Sequence, residues 1–383
     1  MKKKILILTR YYIPSFKAGG PVQSIKNLVD NLSDKYDFHV LTSDRDIGEN
    51  KPFEKIEVDK WEKVGNAKVF YTDISRLSIK KMTKIINSIN FDIIYLNSFF
   101  SFKFSILPVV LKNLNIIKRN SPLVIAPRGE FSPGALNLKS FKKKIFINTS
   151  KFFNLYKNVN WHATAVTESE DIKRNLNKDI DVTIANNLTS DYESLNFNKQ
   201  IKKYKNKLKV VFISRIHPKK NLKFALSILN DIQGDIDFNI YGPIEDQKYW
   251  LECKKIINTL PSNINVNYNG ISEHKDVFNI FNNNHVFLFP TYGENFGHVI
   301  SEALIGGCPV IISDQTPWRE LEEKSVGWDI PLNKYRQFNN VIKTCLEMDQ
   351  KEYDDISKRA FLFAKKEASN YRNKLQYETL FEI

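Results

Sequence analysis

Short runs of β-branched and aliphatic residues alternate with amphipathic stretches along the chain. Segments 5–9, 38–42, 68–71, 93–96, 123–126, 164–166 and 182–185 have the length and composition of buried strands. Between the first two, Val22, Ile25, Leu28, Val29 and Leu32 recur at helical spacing. Strand, helix, strand in that order predicts a parallel sheet with helices on its faces. A polar segment, 189–207, then shows little periodicity and ends in a lysine-rich run, which reads as an interdomain linker. The alternation resumes with 210–213, 238–241, 266–268, 286–289 and 310–312. The expected fold is α/β: two tandem Rossmann-like domains, 1–188 and 208–366, with a central cleft and a C-terminal helix over 367–383.

Composition agrees with two domains. The chain has 383 residues, 42% hydrophobic and 13% aromatic, enough for sizeable cores and too much for a disordered protein. Its formal net charge is +14, yet 46 of the 57 basic residues are lysine, and asparagine and isoleucine are abundant. Compositional bias therefore accounts for part of the charge. A positive field still attracts anions: nucleic acid, acidic lipid or phosphorylated substrates. The aromatics lack an RNA-binding pattern and the charge reads as scattered, so nucleic acid is not expected. Cys253, Cys308 and Cys345 lie far apart, which excludes a metal knuckle or disulfide framework and suggests a reducing compartment. The apolar run after Lys2-Lys3-Lys4 ends within four residues, short of a signal peptide, and no stretch reaches the roughly 18 apolar residues of a membrane span. A cytoplasmic protein is expected.

The most informative stretch is 287–304. A strand ends at Pro290, a loop carries Gly293 and Gly297, and a helix begins near His298. Ligands of doubly wound sheets sit beyond the carboxyl ends of the strands. Free N–H groups at a helix start favour an anion such as a diphosphate. Glu302, in the second turn, can accept hydrogen bonds from a ribose diol, and Glu294 from sugar hydroxyls. On spacing alone, the reading that Glu294 is a solvated loop charge and Glu302 a helix-face charge is equally good. Asp44-Arg45-Asp46 has the letters of a metal-binding D-x-D but reads as an ordinary loop. No G-x-G-x-x-G follows the first strand and no P-loop occurs.

The run G-E-N-F-G-x(4)-E-A-L-x-x-G-x-P-V-I, with Glu294 and Glu302 at E-x7-E spacing, resembles the signature of retaining family 4 glycosyltransferases, which have the GT-B fold. Residues 214–221 resemble that family's G-R-x(n)-K-G element, with Ser214 and Asn221 where glycines are usual. Gly242, Gly270 and Gly19-Gly20-Pro21 fall in the expected order. Asp314-Gln315-Thr316-Pro317-Trp318 and Gly327-Trp328 are similar to a subgroup acting in bacterial surface-polysaccharide assembly.

The resemblance implies a nucleotide-sugar donor in the second domain, with Arg215, Lys220 and Glu294 catalytic. Gly19, Gly20, Gly242, Gly270, Asn295, Phe296, Gly297 and Glu302 would surround the donor. No metal or other cofactor is expected. Arg128 stands where many relatives carry histidine; an arginine accepts no proton at neutral pH, so it is assigned to the acceptor or a phosphate. His162 is either such a ligand or a satisfied core histidine. The implied acceptor is a glycan or polyprenyl-linked oligosaccharide of O-antigen, capsule or exopolysaccharide, at the inner face of the cytoplasmic membrane. A lysine-rich helix over 139–157 is expected to touch anionic lipid, and the last helix to cross back to the first domain. A GT-B nucleotide-sugar epimerase and a non-catalytic nucleotide-sugar-binding subunit are the rival readings.

Overall fold

Residues 2–117, 121–137, 140–369 and 371–383 are described in this computed structural model. The chain divides into two units, one comprising Met1–Ser190 with Asn370–Ile383, the other Asp191–Ser369.

The first unit holds eight strands: β1 (Lys3–Leu8), β2 (Tyr36–Ser43), β3 (Trp61–Val64), β4 (Ala67–Thr72), β5 (Ile93–Asn97), β6 (Leu123–Ala126), β7 (Val159–Ala163) and β8 (Val182–Ile184). They lie in the order β3-β4-β2-β1-β5-β6-β7-β8. Every pairing is parallel except β3 on β4. Successive side chains of a strand face opposite sides. Ile5 and Ile7 thus join a core with Val40, Ile93 and Tyr95, while Leu6 and Leu8 join another with Leu41, Ile94 and Leu96. Burial on both faces is why these strands read as unbroken apolar runs.

Two details differ from expectation here. The β-branched run 164–166 is not a strand: β7 ends at Ala163 and a helix opens at Val166. Glu168 turns its carboxylate back onto the Thr164 N–H and hydroxyl, 2.8 and 2.6 Å away, and starts that helix. The antiparallel edge strand β3 carries only partly buried or exposed residues, so it left no apolar signature.

The second unit has six parallel strands: β9 (Lys207–Ile213), β10 (Asp235–Tyr241), β11 (Ile264–Tyr268), β12 (Val286–Phe289), β13 (Val310–Ser313) and β14 (Gly327–Ile330). Their order is β11-β10-β9-β12-β13-β14, around one continuous core. The chain runs outward to β11 on one side of β9 and to β14 on the other, so the strand order reverses between β9 and β12.

The segment expected as a linker mostly belongs to this unit, the division falling after Ser190. Lys199 donates to the carbonyls of Phe281 and Asn284 at 3.0 and 2.8 Å. Lys203 donates to those of Tyr204, Leu346 and Met348. Carbonyls at helix ends lack intrahelical partners, and these lysines satisfy several. Burial brings Lys199 down to a pKa of about 8. The three cysteines are buried and unpaired with one another.

The helix Gln350–Ala368 closes the second unit; the next, Tyr371–Phe381, packs on the first. A single helix from 367 had been expected, but residues 367–369 stay with the second unit. Tyr377, Leu380 and Phe381 enter the core of Ile5 and Ile7, with Phe381 against the rings of Tyr36 and Tyr95 at 5.4 and 5.7 Å. Lys35 pairs with Glu378 and the Asn186 N–H donates to Gln376 Oε1.

Each sheet also buries a histidine beyond the reach of water. In the first, His162 Nε2 lies 2.8 Å from the Ala185 carbonyl and Nδ1 lies 2.7 Å from the Tyr95 hydroxyl. A carbonyl only accepts, so Nε2 carries the proton and Nδ1 accepts from tyrosine. Desolvation, then repulsion from Arg128, lowers the His162 pKa to about 3. His285, accepting from the Lys209 N–H, is lowered to about 3 chiefly by burial.

Two measurements follow from this packing. Phe381→Ala should cost about 3–5 kcal/mol of stability in the first unit; a melting profile equal to wild type would remove the last helix from its core. The unfolded chain protonates both histidines near pH 6.5, whereas the folded one resists to about pH 3. The unfolded state thus binds more protons throughout that window, and stability is lost as pH falls. The slope should reach roughly 1.4 kcal/mol per pH unit per histidine, and His162→Gln should remove one share. Denaturant titrations giving the same slope for mutant and wild type would contradict the buried neutral ring.

Candidate active site

All strands of the second sheet release the chain at one edge, and where the strand order reverses two loops emerge side by side. One follows β9 and carries Ser214 to Asn221; the other follows β12 and carries Pro290 to Gly297. They are joined by backbone and side chain together. The Tyr292 N–H donates to the Lys219 carbonyl at 2.9 Å, Thr291 Oγ1 donates to the same carbonyl at 3.1 Å, and Asn221 Nδ2 donates to the Pro290 carbonyl at 2.9 Å. Across this seam Lys220 Nζ meets Glu294 Oε1 at 2.5 Å, both side chains largely buried. Thr291 Oγ1 lies 3.1 Å from the same carboxylate oxygen, and Lys220 sits over the Phe289 ring.

A third loop, after β13, supports the second. The Glu294 N–H donates to the Gln315 carbonyl, and Ser313 Oγ donates to the Thr291 carbonyl. Trp318 Nε1 donates to the Phe296 carbonyl at 2.7 Å, and the two rings pack at 5.6 Å. Phe296, expected at the donor, packs its ring against Trp318 and His298, which fixes the loop that carries it.

Gly297 is the N-cap of the helix His298–Ile305, at φ +79°. The left-handed conformation favours glycine; a Cβ there would come 2.9 Å from Ile300 Cδ1, the movable end of a side chain. The helix start directs orphan N–H groups outward, a favourable place for an anion. Glu302 is half-buried one turn further along, behind Asn295 in the chain.

Asn221 answers the sequence's departure from glycine. It adopts φ +61°, ψ +39°, the left-handed conformation that asparagine tolerates best among residues with a side chain, and its amide ties the two loops. Gly242, after β10, has φ +132°, and a Cβ there would fall 1.9 Å from the Ser214 carbonyl oxygen. Its requirement is the close passage of the β9 loop. Gly270, at φ +73°, accepts from the Gly242 N–H at 2.7 Å.

The cations are not equivalent. Lys220 is held at the seam, whereas Arg215 lies outside it in a half-exposed pair with Glu245, Nη1 to Oε2 2.7 Å. Lys219 keeps an exposed side chain near all three charges: desolvation lowers its pKa, Glu294 raises it, and the neighbouring Lys220 and Arg215 lower it again. Sequence reasoning missed Lys219, Thr291 and Gln315. The two lysines are adjacent in the chain and indistinguishable there, while Thr291 acts through a fold-made contact.

In the first unit, Gly19 caps the helix Gly20–Leu32 at φ +64° with open space around both glycines. The loop before it is held by Asp46, whose carboxylate accepts from Ser15 Oγ and the N–H groups of Phe16, Lys17 and Ile47. Asp44 binds Arg45. Both aspartates are thus engaged within their loop, and among the described residues no group of three or more His, Cys, Asp or Glu is placed to hold a metal ion.

Arg128 follows β6 with φ +56°, a left-handed conformation unusual for arginine. Its guanidinium donates to Asn97 Oδ1, Asn187 Oδ1 and the Tyr95 hydroxyl at 3.0, 2.6 and 2.9 Å. The Tyr95 hydroxyl in turn donates to His162, so the two residues expected near the acceptor form one chain. Glu168 fixes the turn by accepting from the Gly129 N–H, and Glu130 by accepting from Ser98 Oγ and the N–H groups of Phe99 and Phe100. His162 is fully buried with both nitrogens used. Of the two, it is the core histidine and Arg128 the group nearer the surface.

Solved structures resemble this chain over its full length. Anabaena Alr3699/HepE in complex with UDP and glucose superposes with a TM-score of 0.68 at 17% identity, covering 100% of both chains. Sucrose-phosphate synthase from Thermosynechococcus elongatus gives 0.69 at 15%, covering 100% of this chain and 98% of that one. WaaG, a glycosyltransferase involved in lipopolysaccharide biosynthesis, gives 0.62 at 11%, covering 98% of each. At these identities the likeness is one of fold: two Rossmann-like units of the GT-B class. No curated protein sequence matches the chain closely. The seam of Lys220 and Glu294, the helix behind Gly297 and the sheet that presents them all lie within residues 193–363, the part of the chain that matches the family Glycosyl transferases group 1.

Proposed function

We propose that this protein is a retaining glycosyltransferase that moves a sugar from a nucleoside diphosphate sugar to a glycan or lipid-linked oligosaccharide in the assembly of a bacterial surface polysaccharide. The observation that carries this reading is the Lys220–Glu294 pair at the reversal of strand order, beside the helix start behind Gly297. A fixed cation and outward N–H groups suit a departing diphosphate. A carboxylate on the same seam suits sugar hydroxyls. Glu302 suits the ribose diol. The HepE complex with UDP and glucose supports this donor class, and the role of WaaG supports the setting.

In the proposed reaction the bond between the anomeric carbon and the phosphate oxygen breaks, its electron pair leaving with the diphosphate. The acceptor hydroxyl attacks from the same face, forms the new glycosidic bond and gives its proton to the departing phosphate. Lys220 and Lys219 neutralise the charge as it develops, and Arg215 joins them by leaving Glu245. Charge stabilisation of this kind by side chains and a helix start leaves no task for a metal ion, and none is assigned. Arg128, preset by three hydrogen bonds, is assigned to an anionic group of the acceptor.

Lys220→Met should reduce turnover by roughly 10²-fold or more, and Glu302→Ala should weaken donor binding, both with little change in secondary structure. The measurement is release of nucleoside diphosphate together with glycosylated acceptor, after thermal-shift screening has chosen the sugar nucleotide. Wild-type turnover in both variants would end the leaving-group assignment, and a changed sugar on an intact nucleotide would replace transfer by epimerisation. Activity should also survive EDTA. Loss in chelator, restored by Mg²⁺ or Mn²⁺, would overturn the metal-free mechanism.

A further inference from the structure

The positive charge is less evenly spread than the sequence first suggests. Between Asp92 and Glu168 stands a single acidic residue, Glu130, against eleven lysines and arginines. The Glu130 carboxylate is itself occupied by Ser98 and the N–H groups of Phe99 and Phe100. Within this acid-poor stretch lies the helix Ser140–Phe152.

Its inner face is defined. Ile147 is buried, and Phe146 packs against Phe99 and Phe100 at ring distances of 5.5 and 6.0 Å. Its outer face carries large apolar side chains as well, with the exposed Asn148 among them, which a solvated helix does not require. Phe141 is 76% exposed, Ile145 50% and Phe152 81%, and the next residue, Phe153, is 70% exposed. At about 100° per residue, Phe141, Ile145 and Phe152 fall within about 40° of one another, opposite the buried face. Lys142 lies on one edge of that stripe, Lys144 and Lys151 on the other, and all three are exposed. The helix is shorter than the expected 139–157. Lys139 lies outside the described residues, and the chain turns after Phe152 so that Tyr156 packs inward on Phe99 and Trp161. Lys143 also leaves the outer face, donating to the Ala135 carbonyl and sitting over the Phe100 ring.

We propose that this face is a docking surface for an anionic lipid bilayer, with Phe141, Ile145, Phe152 and Phe153 inserted at the headgroup level and Lys142, Lys144 and Lys151 on the lipid phosphates. Rings on one stripe with cations on both edges match the layering of an acidic membrane surface, apolar below and negative above. The missing acids matter equally, since carboxylates on this face would be repelled. Among the described residues no helix is long and apolar enough to cross a membrane, so the contact is peripheral. The proposal stands on this unit alone and does not depend on the chemistry assigned to the second.

The test is co-sedimentation of the full chain with vesicles of phosphatidylcholine, alone or mixed with phosphatidylglycerol. Binding should require the acidic lipid and fall as salt screens it. Two triple variants separate the contributions: Phe141→Ser, Phe152→Ser, Phe153→Ser, and Lys142→Glu, Lys144→Glu, Lys151→Glu. All six positions are exposed, so both variants should melt like wild type, checked by circular dichroism. The lysine variant should lose at least about a hundredfold in partitioning, near fivefold per lysine, and the phenylalanine variant should lose binding that high salt does not already remove. Equal partition into neutral and acidic vesicles, or into neither, would overturn the proposal. So would a concentration-dependent dimer that the phenylalanine variant dissociates while wild type ignores vesicles, since the face would then belong to a second copy of this chain.

Discussion

The second unit depends on one constraint: parallel strands deliver all their exit loops to one edge, and only where the strand order reverses do two loops diverge and leave room. There the chain builds a seam whose members stabilise one another. Asn221 and Thr291 tie backbone to backbone, and that fixed spacing brings Lys220 onto Glu294. A largely buried ion pair of this kind contributes less to stability than to the placement of its members. It presents a carboxylate and an ammonium in set positions beside a helix start.

The glycines serve the same seam from below. Gly242 has no side chain because the Ser214 carbonyl passes where a Cβ would be, and Gly297 has none because the helix cap there is left-handed. Neither needs a ligand to explain it. A glycine can therefore mark a binding loop in sequence while its immediate duty is packing, and the ligand benefits from the close approach it permits.

The first unit works by a different device. The hydrogen bonds Arg128 to Tyr95 to His162 to the Ala185 carbonyl run in one direction, each donor and acceptor fixed by the last. Networks of this sort rigidify what they connect. Glu168 and Glu130 hold the turn on which Arg128 sits, so an arginine is kept in a left-handed conformation beside the carboxyl ends of four parallel strands. The last helix seals the face of the sheet nearest this chain of bonds, with Tyr377 and Phe381 against His162 and Tyr95.

Two sheets, most of their strands and the E-x7-E loop were legible in the sequence because burial on both faces writes an unbroken apolar run and a glycine-flanked loop writes its own turn. The short edge strand β3 was hidden, for an edge buries little. The segment 164–166 misled because β-branched residues also open helices when a carboxylate such as Glu168 satisfies the turn. The lysine-rich segment 189–207 read as a linker, since nothing in a lysine's identity says whether its ammonium will meet water or helix-end carbonyls. Which of the adjacent Lys219 and Lys220 meets Glu294, whether Arg215 stands in the seam or on its rim, and that Phe296 packs on Trp318 were decided only by tertiary structure. Residue type and spacing fix what a side chain can do, but its partner is set by loops from strands distant in the chain, and their approach is determined by the packing of the whole sheet.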